Sequence, residues 1–194
     1  LHCIVAPQIT NDAIEYIKGR KKWGKNLNIF QYINNRKMSI LSHLGNIDIR
    51  SIPGAMLIQE RDFYTCEITY EIVSGEVNAQ TIDDLLFAFK VAKFVKSNAI
   101  VIVRNKKTCG IGSGQTSRIE AVKNAISKMK EIPPGCCLAS DSFFPFTDSL
   151  EYASKCGIKN FITPKGSVND EEIIKYAKEN NLTLLFTNVR HFKH

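Results

Sequence analysis

The stretch Lys96-Ser97-Asn98-Ala99-Ile100-Val101-Ile102-Val103-Arg104-Asn105-Lys106-Lys107-Thr108-Cys109-Gly110-Ile111-Gly112-Ser113-Gly114-Gln115-Thr116-Ser117-Arg118 decides how the chain is read. Residues 99–103 form an apolar, β-branched run, which predicts a buried strand. Asn105, Lys106 and Lys107 turn it back toward a second strand over 108–111. Gly110, Gly112 and Gly114 then close on Gln115, Ser117 and Arg118, and a helix is predicted from near Ser117 through Ile126. An apolar strand that ends in glycines and hydrogen-bonding side chains brings backbone N–H groups and a cation up to an anionic ligand. A hairpin whose glycines serve only the turn fits the same residues. The spacing is not G-x-G-x-x-G before a hydrophobic helix, and no G-K-[ST] occurs, so dinucleotide-binding and P-loop readings match poorly.

Outward from this stretch, strands and helices alternate. Residues 2–6 read as a short strand stopped by Pro7. A helix capped by Thr10 or Asn11 follows, with Ile14 and Ile17 inward. Strands are predicted over 27–32, 55–59 and 66–73, while 33–51 give a mixed signal. Residues 81–95 form the strongest helix. Thr81 and Asp84 resemble a capping box, and Ile82, Leu85, Leu86, Phe89, Ala92 and Val95 make one apolar stripe. After Pro133-Pro134-Gly135 come a strand over 137–139, the loop Ser140-Asp141-Ser142-Phe143-Phe144-Pro145-Phe146, and a helix over 150–155 with Gly157 just past its end. A strand at Phe161-Ile162, a helix over 169–179 capped by Asn169, and a strand over 182–186 complete a β-α-β unit. This alternation predicts an α/β fold with layers around a mixed or parallel sheet.

The chain also echoes itself. Cys3-Ile4-Val5-Ala6-Pro7 leads through Asn11-Asp12, Ile14, Tyr16 and Lys18 to Asn26-Leu27-Asn28-Ile29-Phe30. Asn160-Phe161-Ile162-Thr163-Pro164 leads through Asn169-Asp170, Ile173, Tyr176 and Lys178 to Asn181-Leu182-Thr183-Leu184-Leu185-Phe186. Two such copies suggest a duplicated fold, and chance likeness between two β-α-β units gives the same pattern.

A chain of 194 residues makes one domain or two small ones. Its net charge of +7 is spread along the sequence, with local runs at 18–22 and 104–107. No basic motif is interleaved with aromatics, so the field favours an anionic small molecule over nucleic acid. No apolar run of about 18 residues and no signal-peptide pattern occurs, which predicts a cytoplasmic protein without membrane spans. Leu1 stands where an initiator Met would, as in a segment of a longer chain. The six cysteines include no C-x-x-C. Neither structural zinc nor a disulfide framework is expected; buried free thiols are.

Four blocks carry a resemblance: Lys96-Ser97-Asn98, the segment from Gly110 to Arg118, the segment from Ser140 to Asp148, and Arg190-His191-Phe192-Lys193-His194. In order and spacing the chain resembles the C-terminal half of AICAR transformylases, the formyl-transferring domain of bifunctional purine-synthesis enzymes that also carry IMP cyclohydrolase. The likeness continues more weakly through Ile4-Val5-Ala6-Pro7 and Leu57-Ile58-Gln59. It implies a three-layer α/β/α, cytidine-deaminase-like architecture from a duplicated fold. Residues 1–78 would then be the trailing part of the first repeat, and 79–194 a linking helix and the second repeat. It also implies formyl transfer from 10-formyltetrahydrofolate to AICAR in purine biosynthesis, in intertwined homodimers, without a metal.

By motif, the resemblance assigns Asn98, Arg118, Phe143 and Arg190 to AICAR, and Ile119, Asp148 and Ser167 to folate. The residue types suit those tasks. Arginine forks meet phosphate or carboxamide oxygens, an asparagine amide both donates and accepts, and a phenylalanine stacks on a flat heterocycle. Read alone, Arg190 fits a solvated tail, Phe143, Phe144 and Phe146 fit a core, and Asp148 fits a helix cap. The four blocks together favour ligand contacts.

Three features depart from the family pattern. The catalytic Lys-His pair of a K-H-x-x-P-[CA]-G motif does not occur, so no catalytic residue is assigned in this chain. His2 stands where relatives often carry an acid. The 122–135 linker is short. A non-catalytic purine-nucleotide-binding module is the alternative reading. A zinc deaminase matches poorly, since neither H-x-E nor P-C-x-x-C occurs.

Overall fold

The structure, a computed structural model, describes residues 3–6, 8–20, 23–31, 47–60, 62, 68–191 and 193. His2, Pro7, Tyr32, Cys66, Phe192 and His194, all used in reading the sequence, lie outside the described residues. Two compact units divide the chain, 1–61 and 62–194.

In the first unit, β1 (Cys3–Ala6), α1 (Asn11–Lys18) and β2 (Asn28–Gln31) form a β-α-β unit whose strands pair in parallel, Cys3 opposite Asn28. Thr10 caps α1: its hydroxyl accepts from the Ala13 N–H at 3.3 Å. Ile14 and Ile17 are half-buried and Leu27 is fully buried. β3 (Ile47–Ile52) and β4 (Ala55–Glu60) make a separate antiparallel hairpin around Gly54, whose φ of +77° glycine adopts without strain.

The second unit is a six-stranded mixed sheet in the order β5 (Tyr70–Ser74), β10 (Thr183–Thr187), β9 (Asn160–Pro164), β8 (Cys137–Ser140), β6 (Ile100–Arg104), β7 (Lys107–Gly112). The β8, β9 and β10 strands run parallel; β5, β6 and β7 pair antiparallel. Because strand side chains alternate, each strand feeds two cores. Ile100, Ile102, Leu138, Phe161, Leu184 and Phe186 face α3 (Arg118–Ser127), α4 (Asp148–Lys155) and α5 (Asp170–Glu179). Val101, Val103, Cys137, Ala139, Ile162 and Leu185 face α2 (Ala79–Ala92), which buries Leu85, Ala88, Phe89 and Ala92. The predicted α/β layering is thus present, with helices on both faces of one sheet. The two echoing segments share one topology, parallel β-α-β, in β1-α1-β2 and in β9-α5-β10.

Three local readings are corrected. The α2 helix starts at Ala79, and its cap is Asn78, whose side chain accepts from the Thr81 N–H at 2.9 Å. Asp84 is fully buried and belongs to no capping box. Its oxygens accept from the backbone N–H of Asn105 at 2.8 Å and of Lys106 at 2.7 Å. Both turn residues have positive φ, 51° and 54°, the geometry of a two-residue hairpin turn that usually wants glycine. Asp84 holds that turn in place. Asn169 makes no side-chain cap bond, and α4 begins two residues earlier than predicted, at Asp148.

The glycines of β7 have a third use, neither an anion cradle nor a turn. A Cβ on Gly110 would lie 2.3 Å from the Ala125 carbonyl oxygen, and one on Gly112 would lie 1.9 Å from that of Ala121. Both glycines let α3 lie directly on the edge strand. Only Gly114, with φ of +66°, serves the turn, and its N–H donates to the Lys96 carbonyl at 2.8 Å.

Candidate functional site

The parallel strands β8, β9 and β10 end on one side of the sheet, and antiparallel β6 begins there. That is the side on which open α/β sheets bind ligands. The segment following β8 places Asp141 at this end with 1% of its surface exposed. Its Oδ2 accepts from Ser97 Oγ at 2.6 Å, and its Oδ1 accepts from the Ala99 N–H at 3.2 Å. Arg118 Nη1, at the start of α3, donates to the same Oδ1 and forms a buried ion pair with it. The Asp141 carbonyl accepts from the His191 N–H at 2.8 Å, and its own N–H donates to the Ala99 carbonyl at 3.2 Å.

The neighbouring bonds tie in the rest. The Ser97 N–H donates to the Lys193 carbonyl at 2.7 Å, and the Lys193 N–H returns a bond to Ser97 Oγ at 3.0 Å. The peptide between Ser97 and Asn98 is cis. The Asn98 N–H and its side-chain amide both donate to the Gln115 carbonyl, at 3.3 and 2.9 Å. His191 is buried to 1% exposure, its ring 4.6 Å from that of Phe89. Its Nδ1 lies 2.5 Å from Asp62 Oδ2, and Lys93 Nζ lies 3.8 Å from the other oxygen of that carboxylate. The four sequence blocks, far apart in the chain, therefore meet around one carboxylate.

The remaining candidates flank this hub. Phe143 is half-buried, whereas Phe144 is in the core and Phe146 is 61% exposed. Arg190 is exposed, one residue before buried His191. Ile119 is half-buried in the first turn of α3. Asp148 is exposed at the start of α4, its Oδ1 accepting from the Ser149 N–H at 2.7 Å. Ser167 is half-buried; its N–H donates to Asp170 at 3.2 Å and its Oγ accepts from the Asn169 N–H at 3.2 Å. The Asn169 amide donates to the Pro145 carbonyl at 2.7 Å, which links the loop of Phe143 to the loop of Ser167. The Ser142 carbonyl, accepting from Ser140 Oγ at 2.6 Å and Thr163 Oγ1 at 3.0 Å, fixes the start of the Phe143 loop.

Sequence reasoning left out Asp141, Ser97 and Asp62. Asp141 and Ser97 sit inside the quoted blocks, but nothing in the sequence links Asp141 to Arg118, 23 residues away. Asp62 carries no signal either, since only the fold brings it to His191. Among the described residues no group of three or more His, Cys, Asp and Glu side chains could hold a metal ion. Burial raises the Cys136 thiol to about 11 and the Cys137 thiol to about 12, with Cys109 and Asp84 respectively adding to the effect, so both stay protonated and unreactive near neutrality.

A two-faced mixed sheet, with an arginine, an asparagine and a half-buried aromatic ring gathered near its carboxyl end, defines an α/β protein with a candidate small-molecule site there. The chain belongs to the AICARFT/IMPCHase bienzyme family, whose model matches residues 1–128. It is 42% identical over 197 residues to the bifunctional purine biosynthesis protein PurH of Persephonella marina, covering 100% of this chain and 37% of that protein. It is 42% identical over 195 residues to PurH of Caldicellulosiruptor saccharolyticus, and 36% identical over 197 residues to that of Aquifex aeolicus. Each match covers 100% of this chain and 36% or 37% of the relative, so the chain spans about a third of the length of these proteins. The relatives place the family in purine biosynthesis.

Proposed function

We propose that the intact protein transfers the formyl group of 10-formyltetrahydrofolate to the 5-amino group of AICAR. In this reaction the amine nitrogen bonds the formyl carbon, the bond from that carbon to N10 of the folate breaks, a base takes the amine proton, and N10 takes up a proton as it leaves. Asn98, Arg118, Phe143 and Arg190 bind AICAR: the amide and the two forks meet its carboxamide and phosphate, and the ring stacks on the imidazole. Ile119, Asp148 and Ser167 bind the folate. No Lys-His-x-x-Pro sequence occurs in these 194 residues, so here they bind and orient substrates, and the base comes from elsewhere in the protein. The working form is a cytoplasmic homodimer with sites at the subunit interface. Among the described residues no helix is long and apolar enough to cross a membrane.

The observation that carries the reading is the convergence of four separated blocks on Asp141, at the sheet end where ligands of open α/β sheets bind. The test is formyl transfer by the intact protein, followed as tetrahydrofolate released from 10-formyltetrahydrofolate with AICAR present. AICAR-dependent release is expected. A folded intact protein that binds AICAR without releasing tetrahydrofolate would instead be a nucleotide-binding module.

A further inference from the structure

We propose that Asp141 is a positioning residue of this site, holding Arg118, Asn98 and the tail segment of Arg190 in one arrangement. The inference rests on the reading of those three residues as AICAR contacts. A buried ion pair alone argues weakly for a role in stability, because removing two charges from water offsets most of their attraction. The bonding at Asp141 goes further than a pair. Its two carboxylate oxygens take three donors, from Ser97 Oγ, the Ala99 N–H and Arg118 Nη1. Its backbone takes a fourth, from His191. The carboxylate thereby fixes the start of β6 and the start of α3, and the backbone carbonyl of the same residue fixes the chain tail.

The three candidate ligand residues each are, or directly adjoin, a residue bonded to Asp141. Asn98 directly follows Ser97, and Arg190 directly precedes His191. Arg118 is bound to it outright. Only Nη1 of the Arg118 guanidinium donates to Asp141, and no other described residue accepts from the rest of the fork. A guanidinium whose charge is balanced by a buried carboxylate suits a neutral carbonyl or carboxamide oxygen. Asp141 thus sets both the direction of the fork and its net charge, and touches no substrate itself.

The experiment uses the intact protein and calorimetric titration with AICAR, comparing Asp141→Asn, Arg118→Ala and the double variant. Each single substitution is expected to weaken binding at least tenfold. The double variant is expected to bind no more than about threefold weaker than Arg118→Ala, since a residue acting through another adds little once that other is gone. Wild-type affinity in Asp141→Asn overturns the proposal, and so do losses that multiply in the double variant.

A second readout does not depend on AICAR. Slowly exchanging guanidinium protons of Arg118, seen by NMR in the wild type, should be lost in Asp141→Asn. If AICAR does not bind the wild type but these signals behave as expected, the functional reading fails while the holding role stands. If the signals are unchanged by the substitution, the holding role fails. Should Asp141→Asn not fold, Ser97→Ala removes the 2.6 Å bond to Asp141 together with the 3.0 Å bond from the Lys193 N–H, and leaves the Arg118 pair in place. A loss of AICAR affinity of about threefold is then expected, and wild-type affinity overturns the proposal.

Discussion

Arg118 and Arg190 carry the same chemistry in different surroundings, and that difference separates their variants. Arg118→Ala leaves the Asp141 carboxylate buried without its partner, so a loss of roughly 3–5 kcal/mol in stability is expected alongside the loss of AICAR binding. Arg190 is exposed, so Arg190→Ala should lower kcat/KM for AICAR and move the thermal melt less than Arg118→Ala does. Lys106→Ala is the control: its ion pair with Asp83 at 2.8 Å is more than half exposed on both sides. If Arg118→Ala and Lys106→Ala proved indistinguishable in activity and in melting, the site assignment would be wrong. The buried thiols make a second prediction at this scale. Cys136 and Cys137 ionise in the unfolded chain near the ordinary thiol value, 9.0, but in the fold only at about 11 and 12. Above pH 9 the folded state therefore holds more protons than the unfolded state, and stability falls as pH rises. Urea unfolding between pH 9 and 11 should show this decline, and Cys137→Ala should make its slope shallower by up to about 1.4 kcal/mol per pH unit. An unchanged slope would contradict the burial of that thiol.

At the scale of elements, β7 and α3 show what a glycine pattern hides. Gly112→Ala drives a methyl into the Ala121 carbonyl, so α3 must lift from the edge strand, and a loss of about 1–3 kcal/mol is expected. Gly114→Ala meets only the flexible Lys96 side chain at 3.6 Å, and its positive φ costs about 1 kcal/mol. Thermal melts in which Gly114→Ala is the more damaging would return the glycines to a turn role. From sequence, the strand, the hairpin and a helix start near Ser117 were legible, because each rests on local chemistry: β-branched residues, a polar turn, a hydroxyl just before Arg118, which caps α3 at Glu120. Asp84 was not legible, because the same residue pattern fits a capping box, and only tertiary burial shows that it serves a turn over twenty residues on. The same holds for Asn169, whose position predicts a cap but whose amide spans to Pro145. The site was legible as four blocks, and its centre was not, since Asp141 draws its meaning from partners dispersed between Ser97 and His191.

For the molecule as a whole, the consequences concern what these 194 residues do alone. On the proposed function the general base lies outside these residues, and going without it costs roughly 10²–10⁴ in rate. The isolated segment should show no measurable formyl transfer, and turnover near that of an intact enzyme would sink the assignment of roles. Its surface leads to the last expectation. The β3–β4 hairpin exposes Ile49, Ile52, Met56, Leu57 and Ile58, each between 43% and 66% accessible. A two-stranded hairpin is marginal in water without a covering partner. The pairing register puts Ile49, Met56 and Ile58 on one face of the ribbon and Ile52 and Leu57 on the other, and soluble monomers rarely leave such apolar faces open. A second copy of the chain, related by a twofold axis, is the cover that the proposed homodimer supplies. Sedimentation velocity over a range of concentrations should show self-association, and Leu57→Lys with Ile49→Lys should shift the distribution toward monomer while the far-ultraviolet spectrum is kept. A clean monomer at high concentration would count against the homodimer. An assembly indifferent to the two lysines would move its interface away from this hairpin.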